Sequence, residues 1–160
     1  MFSLAMNFRL LNVIPDASVI VWGMLGVLAT VLVEEVYYRV GILYFFKKEK
    51  LRYKSIVALS LVFAASHLAN LIFTNWLIVL LQVIIAFSLS MFTIGLFLKT
   101  KNIMVALLAH LSLNLTALVF QMFSKSNALI GNLGYVIVSL IRAAVLTAVG
   151  TLIFKSNRTL

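Results

Sequence analysis

Successive apolar runs, each long enough to cross a lipid bilayer, dominate this chain of 160 residues. A helix that rises about 1.5 Å per residue needs roughly 20 apolar residues to cross a hydrocarbon core of about 30 Å. Charged residues make up only 11% of the chain, whereas an ordinary soluble domain has about 25%. The sequence therefore predicts an all-α fold, a polytopic transmembrane bundle of about five spanning helices.

Polar turns and one helix cap divide the chain into segments. Residues 1–14 are apolar but too short to span a membrane, so we interpret 1–16 as a short N-terminal interfacial segment that ends at the capping residue Asp16. No repeat or linker follows, which predicts one membrane domain over 17–154 and a cytoplasmic tail over 155–160. The predicted spanning helices cover 17–46, 55–73, 76–98, 103–123 and 129–154.

The net charge of +9 is concentrated in the loops between these helices. Nine of the 13 basic residues fall in three segments, 47–54, 99–101 and 155–158, which alternation of the spans places on one side of the membrane. Cytoplasmic loops carry such an excess of lysine and arginine, and they attract anionic lipid headgroups. We therefore expect an integral membrane protein with its N-terminus outside and its C-terminus in the cytoplasm. Its expected partners include membrane lipid and exclude nucleic acid.

The first predicted span contains two adjacent glutamates, although a charged side chain inside a bilayer costs several kcal/mol unless it is paired or reaches water. Arg39 lies four residues after Glu35 on the same helical face, so an ion pair between them is expected. Glu34 points about 100° away from Glu35 and has no cation on its own face of the helix. The two carboxylates therefore have different surroundings, which suits one of them to proton transfer.

The second and fourth spans carry the only two histidines of the chain, His67 and His110. Asn114 lies one turn after His110 on the same face. Glu34, His67 and Asn114 each lie 13 residues from a lysine that borders their span, and so reach a similar depth of roughly 20 Å, with His110 about one turn shallower. The sequence therefore predicts that polar groups from three helices converge in one buried site.

Three other polar residues in the predicted spans are left out of this site. Asn70 and Gln82 are interpreted as helix–helix hydrogen-bonding residues. Arg142 is interpreted as structural, with a glutamate as its partner.

The polar residues of the predicted site form three motifs, Glu-Glu-x-x-x-Arg at 34–39, Phe-x-x-x-His at 63–67 and His-x-x-x-Asn at 110–114. Together they resemble the CPBP family, which comprises the type II CAAX prenyl endopeptidases and bacterial relatives linked to bacteriocin processing and self-immunity. The resemblance covers about residues 17–154. It implies an intramembrane endopeptidase of a bacterial plasma membrane that cleaves a membrane-associated peptide or protein, prenylated and CAAX-like or bacteriocin-related.

The resemblance also implies a catalytic role for each motif residue. One carboxylate would be the general base that activates a water molecule, and the other would form an ion pair that fixes the motif. Donor groups would stabilise the oxyanion of the tetrahedral intermediate. The implied roles are Glu34 as base, His67 as the residue that holds the water, Glu35 with Arg39 as the ion pair, and His110 with Asn114 as oxyanion donors.

Two questions stay open at this stage. Glu34, His67 and His110 could supply three zinc ligands with an open fourth position, although a His-Glu-x-x-His helix is absent from the sequence. We favour a glutamate mechanism that needs no cofactor, and the absence of cysteine excludes a thiol nucleophile. The alternative functions are a non-catalytic bacteriocin immunity or scaffold protein and a proton or ion carrier, although the internal repeats typical of transporters are not found.

Overall fold

The computed structural model describes residues 16–40, 53–123 and 128–156, and within these ranges the chain forms five helices and no strand. Two of the helices continue with a different winding: a π-helical turn, Val36–Val40, follows the first, and a 3₁₀-helical segment, His67–Ile72, follows the second. The helices are α1 (Ala17–Glu35), α2 (Tyr53–Ser66), α3 (Trp76–Thr100), α4 (Ile103–Phe123) and α5 (Ala128–Ser156).

Four of these stretches are long and apolar enough to cross a membrane, and a fifth, Ile103–Val119 within α4, is a shorter apolar helix. The predicted all-α, polytopic transmembrane bundle is therefore confirmed, and the chain is an integral membrane protein. The four spans are Ala17–Tyr38, Tyr53–Ile72, Trp76–Thr100 and Val136–Ser156.

Some sequence predictions lie outside the described residues. They include nearly all of the interfacial segment 1–16, the last part of the first predicted helix and most of the basic loop at 47–54. The orientation of the termini and the division into segments stay predictions.

Side-chain caps begin three of the helices. Asp16 precedes α1, Asn75 precedes α3 and Asn102 precedes α4, and each side-chain oxygen accepts a hydrogen bond from the backbone N–H two residues later, at 3.4, 2.8 and 2.9 Å. Such caps satisfy backbone donors that the first helical turn leaves without a partner. Lys101 ends α3 in the left-handed conformation, with φ of 54°, so that α4 can turn back beside α3.

Helix α3 is the centre of the bundle and packs against α2, α4 and α5, while α1 packs against α4. The backbones of α3 and α5 touch: a Cβ on Gly150 would lie 2.8 Å from the carbonyl carbon and oxygen of Met91, and one on Gly95 would lie 3.0 Å from the carbonyl oxygen of Gly150. Small residues allow this close approach in membrane helices. The contact fixes α5, of which Val138, Ser139 and Arg142 border the cavity described below.

Two helices change their winding next to the residues singled out in the sequence. The π-helical turn begins directly after Glu35, and the 3₁₀-helical segment begins at His67. The predicted helices over 17–46 and 55–73 contain these two changes of winding, which the apolar pattern of the sequence does not indicate. Local π and 3₁₀ winding inside helices is frequent at functional sites, and here both changes adjoin residues of the predicted site.

Candidate active site

The carboxylate of Glu34 lies between two imidazole rings that come from different helices. Its Oε1 is 4.0 Å from Nε2 of His67, at the start of the 3₁₀-helical segment after α2, and its Oε2 is 3.6 Å from Nε2 of His110 on α4. The Glu34 side chain is 14% exposed, so it retains access to a cavity while most of its surface is covered. The structure therefore brings side chains of α1, of the 3₁₀-helical segment after α2 and of α4 to one place.

The ring orientation of His67 is set by the backbone of its own helix. Nδ1 lies 3.0 Å from the carbonyl oxygen of Phe63, which also accepts a hydrogen bond of 2.7 Å from the Ser66 hydroxyl. Because a carbonyl oxygen only accepts hydrogen bonds, Nδ1 of His67 carries the proton. In the neutral ring, Nε2 then presents a lone pair towards Glu34 and can accept a hydrogen bond.

His110 connects the two adjacent glutamates. Its Nδ1 donates to Oε1 of Glu35 at 2.8 Å, and both side chains are almost fully buried, at 1% and 2% exposure. Its Nε2 faces Glu34. The sequence predicted Arg39 as the partner of Glu35, but the side chain of Arg39 lies outside the described residues, so that ion pair stays a prediction.

Phe63 supports both histidines, a role that the sequence analysis did not assign although this residue opens the Phe-x-x-x-His motif. Its ring is 2% exposed. The ring centroid lies 5.1 Å from that of His67, 6.2 Å from that of His110 and 4.9 Å from that of Tyr38, and all three pairs meet edge to face. Such contacts restrict the tilt of both imidazoles. The fixed position of a large aromatic residue four places before the histidine was the feature that could have indicated this role.

A cavity of about 290 Å³ opens on these side chains. Glu34, His67, His110 and Asn114 line it, and most of its remaining wall is apolar. A largely apolar pocket with a few convergent polar groups is the usual form of a binding or active site. Among the residues that the structure describes, the side-chain amide of Asn114 makes no hydrogen bond, so it faces the cavity as a donor.

Glu34 and His67 also line a second cavity, of about 430 Å³, together with Tyr38, Ser66 and Asn70. Its lining is more polar than that of the first cavity. The two residues thus stand where an apolar cavity and a more polar one meet, an arrangement that gives water a separate approach to the carboxylate.

Five of the six predicted site residues meet in this region, and the sixth is Arg39, whose side chain is not described. Asn70 donates to Gln82 at 3.0 Å, which confirms the predicted hydrogen bond between helices. Arg142, which the sequence analysis left out of the site, lies on the wall of the 290 Å³ cavity. Its hydrogen bond of 3.0 Å from Nη2 goes to the backbone carbonyl of Leu113.

The residues that could supply zinc ligands do not fit that ion as they are placed. Zinc bonds of about 2.0–2.1 Å in a tetrahedral site put neighbouring ligand atoms about 3.3 Å apart, whereas Glu34 lies 3.6 and 4.0 Å from the two Nε2 atoms. Within the described ranges, no group of three or more His, Cys, Asp or Glu side chains could hold a metal ion. We therefore derive no catalytic step through a metal.

Comparison with known proteins gives one match, to a family model. The model of the Rce1-like family, described as type II CAAX prenyl endopeptidase Rce1-like, matches residues 16–116. No curated protein and no solved structure matches the chain. The matched range contains all three motifs and ends before α5.

Proposed function

Because the chain belongs to the Rce1-like family of type II CAAX prenyl endopeptidases, a family of proteases, we propose that it is an intramembrane endopeptidase in which Glu34 activates the attacking water. The substrate is a membrane-associated peptide or protein segment. The observation that carries the proposal is the position of the Glu34 carboxylate between two imidazole Nε2 atoms, 4.0 and 3.6 Å away, at the wall of a largely apolar cavity.

The gap between Glu34 and His67 has the right width for a water molecule. A direct hydrogen bond between Oε1 and Nε2 would be shorter than the 4.0 Å observed. If a water oxygen lay about 2.8 Å from both atoms, the angle Oε1–water–Nε2 would be about 90°, close to the angle between the two O–H bonds of water. It would donate one proton to Glu34 and one to His67, and its lone pairs would be free to attack a carbonyl carbon.

Hydrolysis then proceeds in two steps. As the water oxygen bonds to the carbonyl carbon of the substrate, Glu34 takes one proton, and the carbonyl oxygen becomes an oxyanion. When the tetrahedral intermediate breaks its C–N bond, Glu34 returns the proton to the departing nitrogen. The products are a new carboxyl terminus and an amine, and Glu34 is again ionised.

Asn114 is the donor best placed to stabilise the oxyanion, because its amide faces the cavity and carries N–H groups at every stage. His110 has a more restricted role. Its Nδ1 proton is held by Glu35, so Nε2 can donate to an oxyanion only when the ring carries two protons. In the neutral ring, Nε2 carries a lone pair and donates neither to the oxyanion nor to Glu34, so His110 then acts only through its bond to Glu35.

The test is cleavage of a quenched-fluorescent peptide library by purified protein in detergent, comparing wild type with Glu34→Gln and His67→Ala. General-base catalysis typically contributes about 10²- to 10⁴-fold, and we expect a loss of that size with Glu34→Gln. Asp16→Asn is the matched control, since it also removes one carboxylate while asparagine caps helices as well as aspartate does; it should keep full activity.

The same assay tests the cofactor prediction, and a cellular assay of the same variants tests the scaffold alternative. We expect cleavage to continue with a chelator present, and loss with chelator that zinc restores would assign the site to a metal. Wild-type rates in Glu34→Gln would contradict the proposed mechanism. A cellular phenotype that both site variants retain would identify the protein as a scaffold.

A further inference from the structure

Gln82 is a polar residue on the wall of the apolar cavity, and none of the three motifs includes it. It lies on α3 and shares with Ile85, Ala86 and Leu89 the helix face that lines the cavity of about 290 Å³. Residues three and four positions apart lie on one face of a helix, one above the other. Among the described residues, the side of α3 that borders the cavity is therefore apolar except for one amide.

The oxygen of the Gln82 amide is held by a neighbouring side chain, whereas its nitrogen is not. Oε1 accepts a hydrogen bond of 3.0 Å from Nδ2 of Asn70, and a primary amide carries two further N–H donors. Within the described ranges, Nε2 of Gln82 makes no hydrogen bond. Asn70 is 3% exposed and lines the second cavity. It thus fixes the oxygen of Gln82 and leaves the N–H donors available to a ligand in the first cavity.

Two routes through the fold give the distance of Gln82 from the catalytic groups. Ala86 packs against Phe63, the support of both histidines, and Gln82 lies one turn away from it, roughly 6 Å along α3. Asn70 follows His67 by three residues in a segment of 3₁₀ winding, which also corresponds to roughly 6 Å. An extended peptide advances about 3.3 Å per residue. The amide of Gln82 therefore stands about two peptide residues from the level of His67.

A peptide that enters this cavity needs hydrogen-bond donors for its backbone carbonyls. A buried carbonyl that loses water without gaining a donor costs free energy, and most of the wall is apolar. The amide of Asn114 is assigned to the oxyanion. Thr116, another polar residue of the wall, donates its hydroxyl to the carbonyl of Ser112 at 2.7 Å. Gln82 supplies N–H donors in the same space.

From this arrangement we propose that Gln82 binds a backbone carbonyl of the substrate about two residues from the cleaved bond, and that Asn70 is a positioning residue that holds the Gln82 amide in its donating orientation. The inference rests on the proposed function, because it places the substrate in the cavity of Glu34. A hydrogen bond to the peptide backbone does not depend on the side chains of the substrate. Gln82 therefore determines which bond of a bound peptide is presented to Glu34.

A binding experiment tests this contact without requiring cleavage. The protein carries Glu34→Gln so that the probe stays intact, and affinity is measured in detergent by fluorescence anisotropy. The probe is the peptide of the fluorescent library that binds this protein most tightly. A series of the same peptide has one backbone amide at a time replaced by an E-alkene, which keeps the extended shape and removes the hydrogen-bonding groups.

Each probe is measured again after adding Gln82→Met, Asn70→Leu or both substitutions. Methionine and leucine keep nearly the size of the residues that they replace and remove the amide. Thr116→Val is the matched control, because it also replaces a polar residue of the same wall by an apolar one of the same shape, and the hydroxyl that it removes donates within its own helix.

We expect Gln82→Met to weaken binding of the unmodified peptide by about 3- to 20-fold. One alkene peptide should bind the starting protein more weakly by a similar factor and lose nothing further with Gln82→Met. Asn70→Leu should cause part of the loss alone and none in addition to Gln82→Met, while Thr116→Val should keep the starting affinity. If Gln82→Met does not fold, Asn70→Leu measured against the alkene series gives the same comparison.

Three results would overturn the inference. One is unchanged affinity with Gln82→Met. Another is an equal loss for every probe in the series, which would make Gln82 a support for the contact with Asn70 only. The third is a responsive amide at the cleaved bond itself, which would make Gln82 an oxyanion donor. Failure of the proposed function looks different, because binding would then depend on Gln82 while the protein with Glu34 intact cleaved none of the peptides.

Discussion

The buried hydrogen bond between Glu35 and His110 is the contact from which the clearest stability prediction follows. The two atoms are 2.8 Å apart, and the side chains are 2% and 1% exposed. A hydrogen bond to a charged group contributes about 1.5–3 kcal/mol net, against about 0.5–1.5 kcal/mol for a neutral one. Glu35→Gln keeps an acceptor oxygen of the same shape and removes the charge, so we expect the free energy of unfolding to fall by about 1–1.5 kcal/mol. Glu35→Ala also leaves the buried N–H without its acceptor and should cost about 3–5 kcal/mol.

The assay is reversible unfolding by SDS in mixed micelles, arranged as a double-mutant cycle of Glu35→Gln with His110→Gln. Directly contacting pairs show coupling of about 0.5–3 kcal/mol, and we expect this pair at about 1 kcal/mol or more. Glu35→Gln combined with Thr100→Ala, at the last residue of α3, is the control pair and should be additive within about 0.5 kcal/mol.

Two outcomes would refute the assigned contact. One is additivity of Glu35→Gln and His110→Gln, since the two side chains would then stabilise the fold independently. The other is equal stability of the Gln and Ala variants of Glu35, which would mean that the N–H of His110 does not depend on this carboxylate for an acceptor.

Three further predictions concern packing and helix ends, and each uses the same unfolding assay. Gly150→Ala should lower the free energy of unfolding by about 1–3 kcal/mol because its Cβ would lie 2.8 Å from the α3 backbone. The control Gly134→Ala lies on the same helix with nothing within 4 Å of its Cβ, and it should leave the stability unchanged or raise it by up to about 1 kcal/mol. Equal effects of the two substitutions would contradict the close contact between the helices. Phe63→Ala should lower the free energy of unfolding by about 3–5 kcal/mol and slow peptide cleavage, and Phe63→Leu should have a smaller effect on both. Unchanged cleavage by Phe63→Ala would show that the ring does not orient the histidines. Asn75→Ala should lower the free energy of unfolding by about 1 kcal/mol through loss of the α3 cap, while Asn75→Ser should keep nearly the stability of the wild type. Equal stability of the two variants would argue against the cap.

The helices could be predicted well from the sequence because polar turns separate them. The last two were placed within two residues of their observed bounds, Ile103–Phe123 and Ala128–Ser156. Asn102, which begins α4, stands in a turn that interrupts the apolar pattern on both sides. Because the rise per residue is constant in a helix, counting from the basic loops predicts one depth for Glu34, His67 and Asn114, and all three line the same cavity.

Contacts that depend on helix rotation could not be predicted in this way. Depth counting does not show which residue of a neighbouring helix a side chain faces. The only partner of Glu35 that a local pattern could indicate was Arg39, four residues away, whereas the His110 bond joins residues 75 positions apart. Arg142 was left out of the site for the same reason, because its place on the cavity wall depends on how α5 is rotated against α3 and α4.

The changes of winding at Val36 and His67 also escaped prediction. No proline or glycine stands at either position, and these residues are the usual indicators of an interrupted helix. Both changes belong to the site: one directly follows the glutamate pair, and the other begins at the histidine whose Nδ1 bonds to the Phe63 carbonyl.

The most direct test of the central claim is a single-turnover cleavage in H₂¹⁸O with enzyme in excess, followed by mass spectrometry of the peptide product and of the protein. If Glu34 activates a water, the new carboxyl terminus contains one ¹⁸O at the enrichment of the solvent in the first turnover, and the Glu34 carboxylate stays unlabelled. If Glu34 instead attacked the substrate to form an anhydride and water opened that anhydride at the Glu34 carbonyl, the first product would carry an unlabelled oxygen from the enzyme and ¹⁸O would appear in Glu34. The second result would contradict the account.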